Sequence, residues 1–131
     1  MLNENKITTL FLDIGGVLLS DGWGHDFRNQ AAEKFHLDKQ ETEKRHSIMF
    51  ETHEEGKISM DEYLDRVVFY KQRDFTNVEF RDLMFSLTTP DLEMISFIRK
   101  LKAQNGLKIV AVSNEARELN AYRILLSLIH I

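Results

Sequence analysis

Residues 7–19 read ITTLFLDIGGVLL, an apolar run that ends in a carboxylate followed, one residue on, by two glycines. Ile7, Thr8, Thr9, Leu10, Phe11 and Leu12 favour extended backbone, so the run predicts a short buried strand with Asp13 at its C-terminal end. Gly15 and Gly16 then turn the chain away. A second run, 107–112 (LKIVAV), is nearly continuous in apolar residues, as a buried parallel strand should be, and it stops at Ser113 and Asn114. Two parallel strands this far apart in sequence are joined by a right-handed crossover, here one that carries a large insertion. An ionised carboxylate closing a buried strand is costly to desolvate unless a cation or hydrogen-bond donors meet it. Asp13 therefore needs a partner, and a metal ion is the leading candidate.

The residues between the strands are patterned for helices. From His25 the apolar set Phe27, Ala31, Ala32 and Phe35 recurs at helical spacing. Asp38 with Glu41 predicts a second helix whose apolar stripe is thin. Ser59 with Glu62 opens a strongly amphipathic stretch through Met60, Tyr63, Leu64, Val67 and Val68. Thr76 with Glu79 opens a fourth helix carrying Phe80, Leu83, Met84 and Leu87. Thr89 is read as the cap of a fifth, with Pro90 at its first position, Leu92, Ile95, Ile98 and Leu101 turned inward, and Gly106 as its stop. A last helix is expected from Glu115 to about Tyr122.

Composition limits the partners. The chain has 131 residues, enough for one domain, and 43% are hydrophobic, enough for a core. Net charge is −4 and the basic residues are scattered, which argues against nucleic acid as the ligand. Without cysteine, disulfides, thiolate metal sites and a cysteine nucleophile are excluded. No leader or membrane span is read, and a cytoplasmic protein is expected.

If the two strands are neighbours, Asp13 and Ser113 lie at the same carboxyl edge and can face one ligand. A carboxylate there can attack phosphorus while ligating Mg²⁺. A serine followed by the free amides of a helix start suits phosphate oxygens. Helix capping is the structural alternative for Ser113 and Asn114, and capping of the next turn for Asp13.

FLDIGGVLL resembles the first motif of the haloacid-dehalogenase superfamily of aspartate-nucleophile hydrolases, and KIVAVSN resembles its second. The block containing EEGKISMDEYL is similar to the helical cap that many members insert after the first motif. The resemblance implies an α/β protein with a truncated Rossmann-like parallel sheet core, residues 1–19 and 88–125, and an α-helical cap, residues 20–87. It implies a Mg²⁺-dependent phosphatase acting on a small phosphorylated metabolite through an aspartyl-phosphate. Asp13 would be nucleophile and metal ligand, Gly15 would offer its carbonyl to Mg²⁺, and Ser113, with Asn114, would bind phosphate. The family usually places a second aspartate, the proton donor, two residues after the nucleophile. Here that position is Gly15, and Asp21 and His25 are the nearest substitutes. The family's later lysine and acidic metal motif belong to elements after Ser113 that this chain does not reach, so the chain itself is expected to be inactive. Its last residues, 126–131 (LSLIHI), look like a translated sequencing adapter and are expected to be a non-native tail.

Two other classes remain. A non-catalytic phosphate-binding or partner-binding module of the same fold is consistent with Gly15. A sugar kinase of actin-like fold has a phosphate hairpin resembling Asp-Ile-Gly-Gly, but that pattern wants Thr where Val17 stands and a strand directly after. Elsewhere, His36, His46 and His53 are read as surface residues of a charged helix. Trp23 is read as a plug for the loop after the first strand, and the stripe from Tyr63 to Tyr70 as cap core.

Overall fold

The computed structural model describes residues 6–127. Its elements run β1 (Thr9–Asp13), α1 (His25–Lys34), α2 (Lys39–Glu54), α3 (Met60–Val67), α4 (Asn77–Ser86), α5 (Leu92–Asn105), β2 (Lys108–Val112) and α6 (Arg117–Ser127). The strands pair in parallel, from Thr9 opposite Lys108 to Asp13 opposite Val112. The protein is therefore mixed α/β and mostly helical, built on a small two-stranded sheet among the described residues.

Apolar residues gather in two places. Leu12 and Leu18 pack with Ile95 and Ile98 of α5, joined by Leu10 and Ile109, so α5 covers one face of the sheet. The second cluster lies among the helices: Ala31 and Ala32 of α1, Tyr63 and Leu64 of α3, Phe80 and Met84 of α4, and Leu119 of α6. Burying such faces stabilises each helix by roughly 25 cal/mol per Å² of apolar surface, far more than helix propensity alone supplies.

Local signals set most helix starts. Ser59 and Glu62 close both halves of a capping box at α3, and Thr76 and Glu79 do the same at α4. At α2 the Asp38 carboxylate accepts from the Glu41 N–H at 2.9 Å, but the Glu41 side chain turns to Arg45 at 2.6 Å, leaving the box half closed. Gly106, at φ +60°, ends α5 in the left-handed conformation that costs glycine nothing.

Three expectations are corrected. First, α5 starts one turn-entry later than Thr89 and Pro90 predict: Asp91 is the cap and accepts from the Met94 N–H at 2.9 Å. Thr89 and Pro90 instead pair with the loop after β1. The Thr89 carbonyl accepts from the Ser20 N–H at 2.8 Å, and Pro90 bridges to Leu19. That placement leaves Leu92 71% exposed, while Ile95 and Ile98 face inward as the spacing requires. Second, α6 begins at Arg117 rather than Glu115 and continues past Tyr122. Third, His46 and His53 are not surface residues: His53 is buried and His46 half-buried, because both pack on the Tyr63 ring. His36 is exposed, as expected, with φ +52° at the end of α1. Of the expected non-native tail, residues 126 and 127 continue α6, and residues 128–131 lie outside the described residues.

No helix among the described residues is long and apolar enough to cross a membrane.

Candidate functional site

Because β1 and β2 are parallel and in register, the two polar strand ends fall on the same edge of the sheet. Asp13 is opposite Val112, and Ser113 and Asn114 follow immediately. Contrary to the expected buried strand, only Leu12 of β1 is buried and Asp13 is exposed, so the desolvation cost that called for a cation does not arise; its Oδ1 accepts the N–H of Ile14 at 2.8 Å. Gly16, at φ +70°, turns the chain, and its N–H closes on the Leu19 carbonyl at 2.8 Å. A Cβ on Gly16 would displace the exposed Asp21 carboxylate, 2.9 Å away, and the left-handed backbone there favours glycine.

Above this edge lies a cavity of about 450 Å³, within the range of small-molecule sites. Asp13, Gly15, Asp21, His25 and Asn114 all line it, and the helices close its far side. Ser113 is at the same strand end but not in the cavity wall; its Oγ accepts the Glu115 N–H at 3.4 Å, a capping contact. Of the two substitutes for a proton donor, His25 has both ring nitrogens engaged, Nδ1 with Glu43 at 3.1 Å and Nε2 with Asn29 at 3.0 Å. Asp21 keeps an exposed carboxylate on the rim.

Glu115 was not legible as a site residue. Its carboxylate fills the space a side chain at position 15 would take: a Cβ on Gly15 would lie 3.2 Å from Glu115 Oε1, and one on Gly22 3.1 Å from it. Burial pushes the Glu115 carboxyl above its ordinary pKa, opposed by the charge of Arg123 and reinforced by Asp13. Arg123 is fully buried and stands 2.8 Å from Glu115, a charge contact without the alignment of a hydrogen bond. The rest of the guanidinium donates to the carbonyls of Ser20 and Asp21 and to the Thr88 hydroxyl. It thereby ties together the two passes of chain between the sheet and the helices.

The helical wall carries its own network. Trp23, whose indole N–H can only donate, gives it to the Tyr63 hydroxyl at 2.9 Å. Tyr63 therefore donates onward to His46 Nδ1 at 2.7 Å, which fixes the imidazole as the Nε2–H tautomer. Burial, helped by the charge of Arg28, lowers the His46 pKa to about 4. His53 stacks on Tyr63 at 4.5 Å, and burial lowers its pKa as well. Trp23 thus does plug the loop, as expected, while also facing the cavity. Arg28 is buried and held by Glu43 through two contacts of 2.6 and 2.9 Å. That pairing depresses the Glu43 pKa to about 2.

The carboxylates of Asp13 and Asp21, both hard oxygen donors, line this cavity together with Gly15. Mg²⁺ is usually held by one or two carboxylates and completed by waters and substrate phosphate, so these residues fit that ion. They do not form a closed cage: no group of three or more His, Cys, Asp or Glu able to hold a metal exists among the described residues.

The protein is mixed α/β, with Asp13 and Asn114 at the carboxyl edge of a parallel two-stranded sheet, facing a cavity walled by helices. No protein-family model matches the chain, and no curated protein matches it.

Proposed function

We propose that this chain is a haloacid-dehalogenase-like phosphohydrolase, with a Rossmann-like core of residues 1–19 and 88–125 and a helical cap of residues 20–87. Its substrate is a small phosphorylated metabolite and its intermediate an aspartyl-phosphate. The observation that carries the reading is the strand register, which sets Asp13 and the Ser113-Asn114 strand end on one edge, beneath a cavity that Asp13 and Asn114 share.

Asp13 is the nucleophile. Its Oδ1 is steered by the Ile14 N–H, leaving Oδ2 for attack on phosphorus. Asn114, on the cavity wall, and Ser113, whose Oγ would have to leave its contact with the Glu115 N–H, would hold the phosphoryl oxygens at the neighbouring strand end. The Asp13 carboxylate and the Gly15 carbonyl would hold Mg²⁺, which when bound would supply positive charge against the dianionic phosphate. The leaving oxygen needs a proton that Gly15 cannot give. Glu115 occupies the corresponding space and Asp21 lies on the rim, so the proton comes from a carboxyl of this cavity. The helical wall excludes bulk water from the acyl phosphate until one water is admitted.

One observation favours a second reading, a phosphate-binding module without turnover: Glu115 is engaged with Arg123, and position 15 has no acid. A phosphatase assay on the protein with Mg²⁺, against Asp13→Asn, separates the two. Hydrolysis that falls by at least about 10³-fold in Asp13→Asn supports the first, since the covalent step has no other nucleophile. Phosphate binding retained with no turnover in either protein supports the second. Full activity in Asp13→Asn would remove both the nucleophile and the reading.

A further inference from the structure

The cavity has two unlike ends. The strand edge offers polar groups for a phosphoryl group, whereas the helical side presents Trp23, Phe50, Met60, Met84 and Leu119. Aromatic rings and thioethers adapt to flat or irregular apolar surfaces.

The charges in the wall decide what else can enter. Arg28 is the one Lys or Arg among the described residues that line this cavity, and it is neutralised by Glu43 and by a further bond to the Trp23 carbonyl. His46 and His53 are held in their neutral forms at pH 7 by burial. Against these stand Asp13, Asp21 and Glu54, while Glu115 is paired with Arg123 at 2.8 Å. An organic moiety with a second phosphate or carboxylate would face Asp21 and Glu54, and His25, the remaining imidazole of the wall, is itself engaged by Glu43 at 3.1 Å and by Asn29 at 3.0 Å.

We propose that the chamber selects phosphate monoesters of uncharged alcohols with an aromatic or apolar face, and rejects esters that bear a second anionic group. This rests on the phosphohydrolase reading above. The phosphoryl group sits at the Asp13 edge, and the organic part lies against Trp23 and the methionines. Like charges a few ångströms apart repel strongly in a partly enclosed cavity, so discrimination of at least about tenfold is expected.

The chain reports on its own chamber, because Trp23 is its sole tryptophan. Fluorescence titrations in Mg²⁺ buffer with inorganic phosphate, phenyl phosphate and phosphoglycolate test the proposal without requiring turnover. Phenyl phosphate should bind at least about tenfold more tightly than phosphoglycolate, and inorganic phosphate should displace it. Glu54→Lys, at an exposed position, should shift the ratio toward phosphoglycolate by about tenfold without affecting folding. Phosphoglycolate binding as tightly as phenyl phosphate to the unsubstituted chain, or a ratio unmoved by Glu54→Lys, would overturn the selectivity while leaving a phosphate site in place. Failure of all three phosphates to bind would instead overturn the phosphate-site reading, and this inference with it.

Discussion

Glu43 and His46 face the same buried guanidinium, and both make the fold sensitive to acid. Glu43 titrates near 2 when folded against an ordinary 4.5. Its contribution is complete above about pH 4.5 and is lost as pH falls toward 2. His46 titrates near 4 against an ordinary 6.5. Protonation is easier in the unfolded chain, so its contribution is complete above 6.5 and is lost between 6.5 and 4. His53 acts in the same direction. Glu115, with its pKa raised, opposes them, because its protonated form is favoured by the fold. Discounted for solvent at the partly exposed Glu43, the pair amounts to a few kcal/mol. Urea unfolding at pH 7.5, 5 and 3.5 should therefore show falling stability, with the upper part of the loss reduced in His46→Gln and the remainder of that part due to His53. A flat profile between pH 7.5 and 5 would show that the imidazole is not buried as described. None of this was readable beforehand. The sequence around His46 is charged, and its burial arises only when Tyr63, seventeen residues on, brings its ring and hydroxyl against it.

At the scale of elements, the sequence spelled out those features that are settled within four residues. The caps at Ser59 and Thr76, the stop at Gly106 and the strand ends at Asp13 and Val112 all stand where local chemistry puts them. What it did not spell out depends on residues far apart. Pro90 is a good first residue for a helix, yet it pairs with Leu19 because the outgoing and returning passes of chain zip together through Ser20 and Thr89. Arg123 locks that zipper from α6, more than a hundred residues from Ser20. Nothing in the pattern of α6 distinguishes this arginine from a solvated one. Arg123→Met should cost about 3–5 kcal/mol, because it leaves Glu115 buried without its counter-charge and three acceptors without a donor. Arg123→Met/Glu115→Met should cost less than the single change, since no unpaired charge is left inside. Denaturant midpoints at unchanged slope measure both. If the double variant proves as unstable as the sum of the two singles, the pair is not coupled.

For the molecule as a whole, the two faces of the sheet differ. Leu10, Leu12 and Ile109 meet α5, while Phe11 and Val112 project from the opposite face and are 67% and 55% exposed. Parallel strands normally carry cover on both faces, so this apolar face is open among the described residues. The lack of polar–apolar alternation in β1 conceals this in the sequence: every residue from Ile7 to Leu12 suits a doubly covered strand, and only the packing shows which half is covered. An open apolar face next to unpaired strand edges favours association. The chain should therefore bind an apolar dye and sediment increasingly as dimers or larger species at rising concentration. Phe11→Lys should suppress both effects and change stability by less than about 0.5 kcal/mol, because an exposed side chain loses little on replacement. A large loss of stability in Phe11→Lys would mean that this face is covered in solution, and the dye would then fail to bind the unsubstituted chain as well.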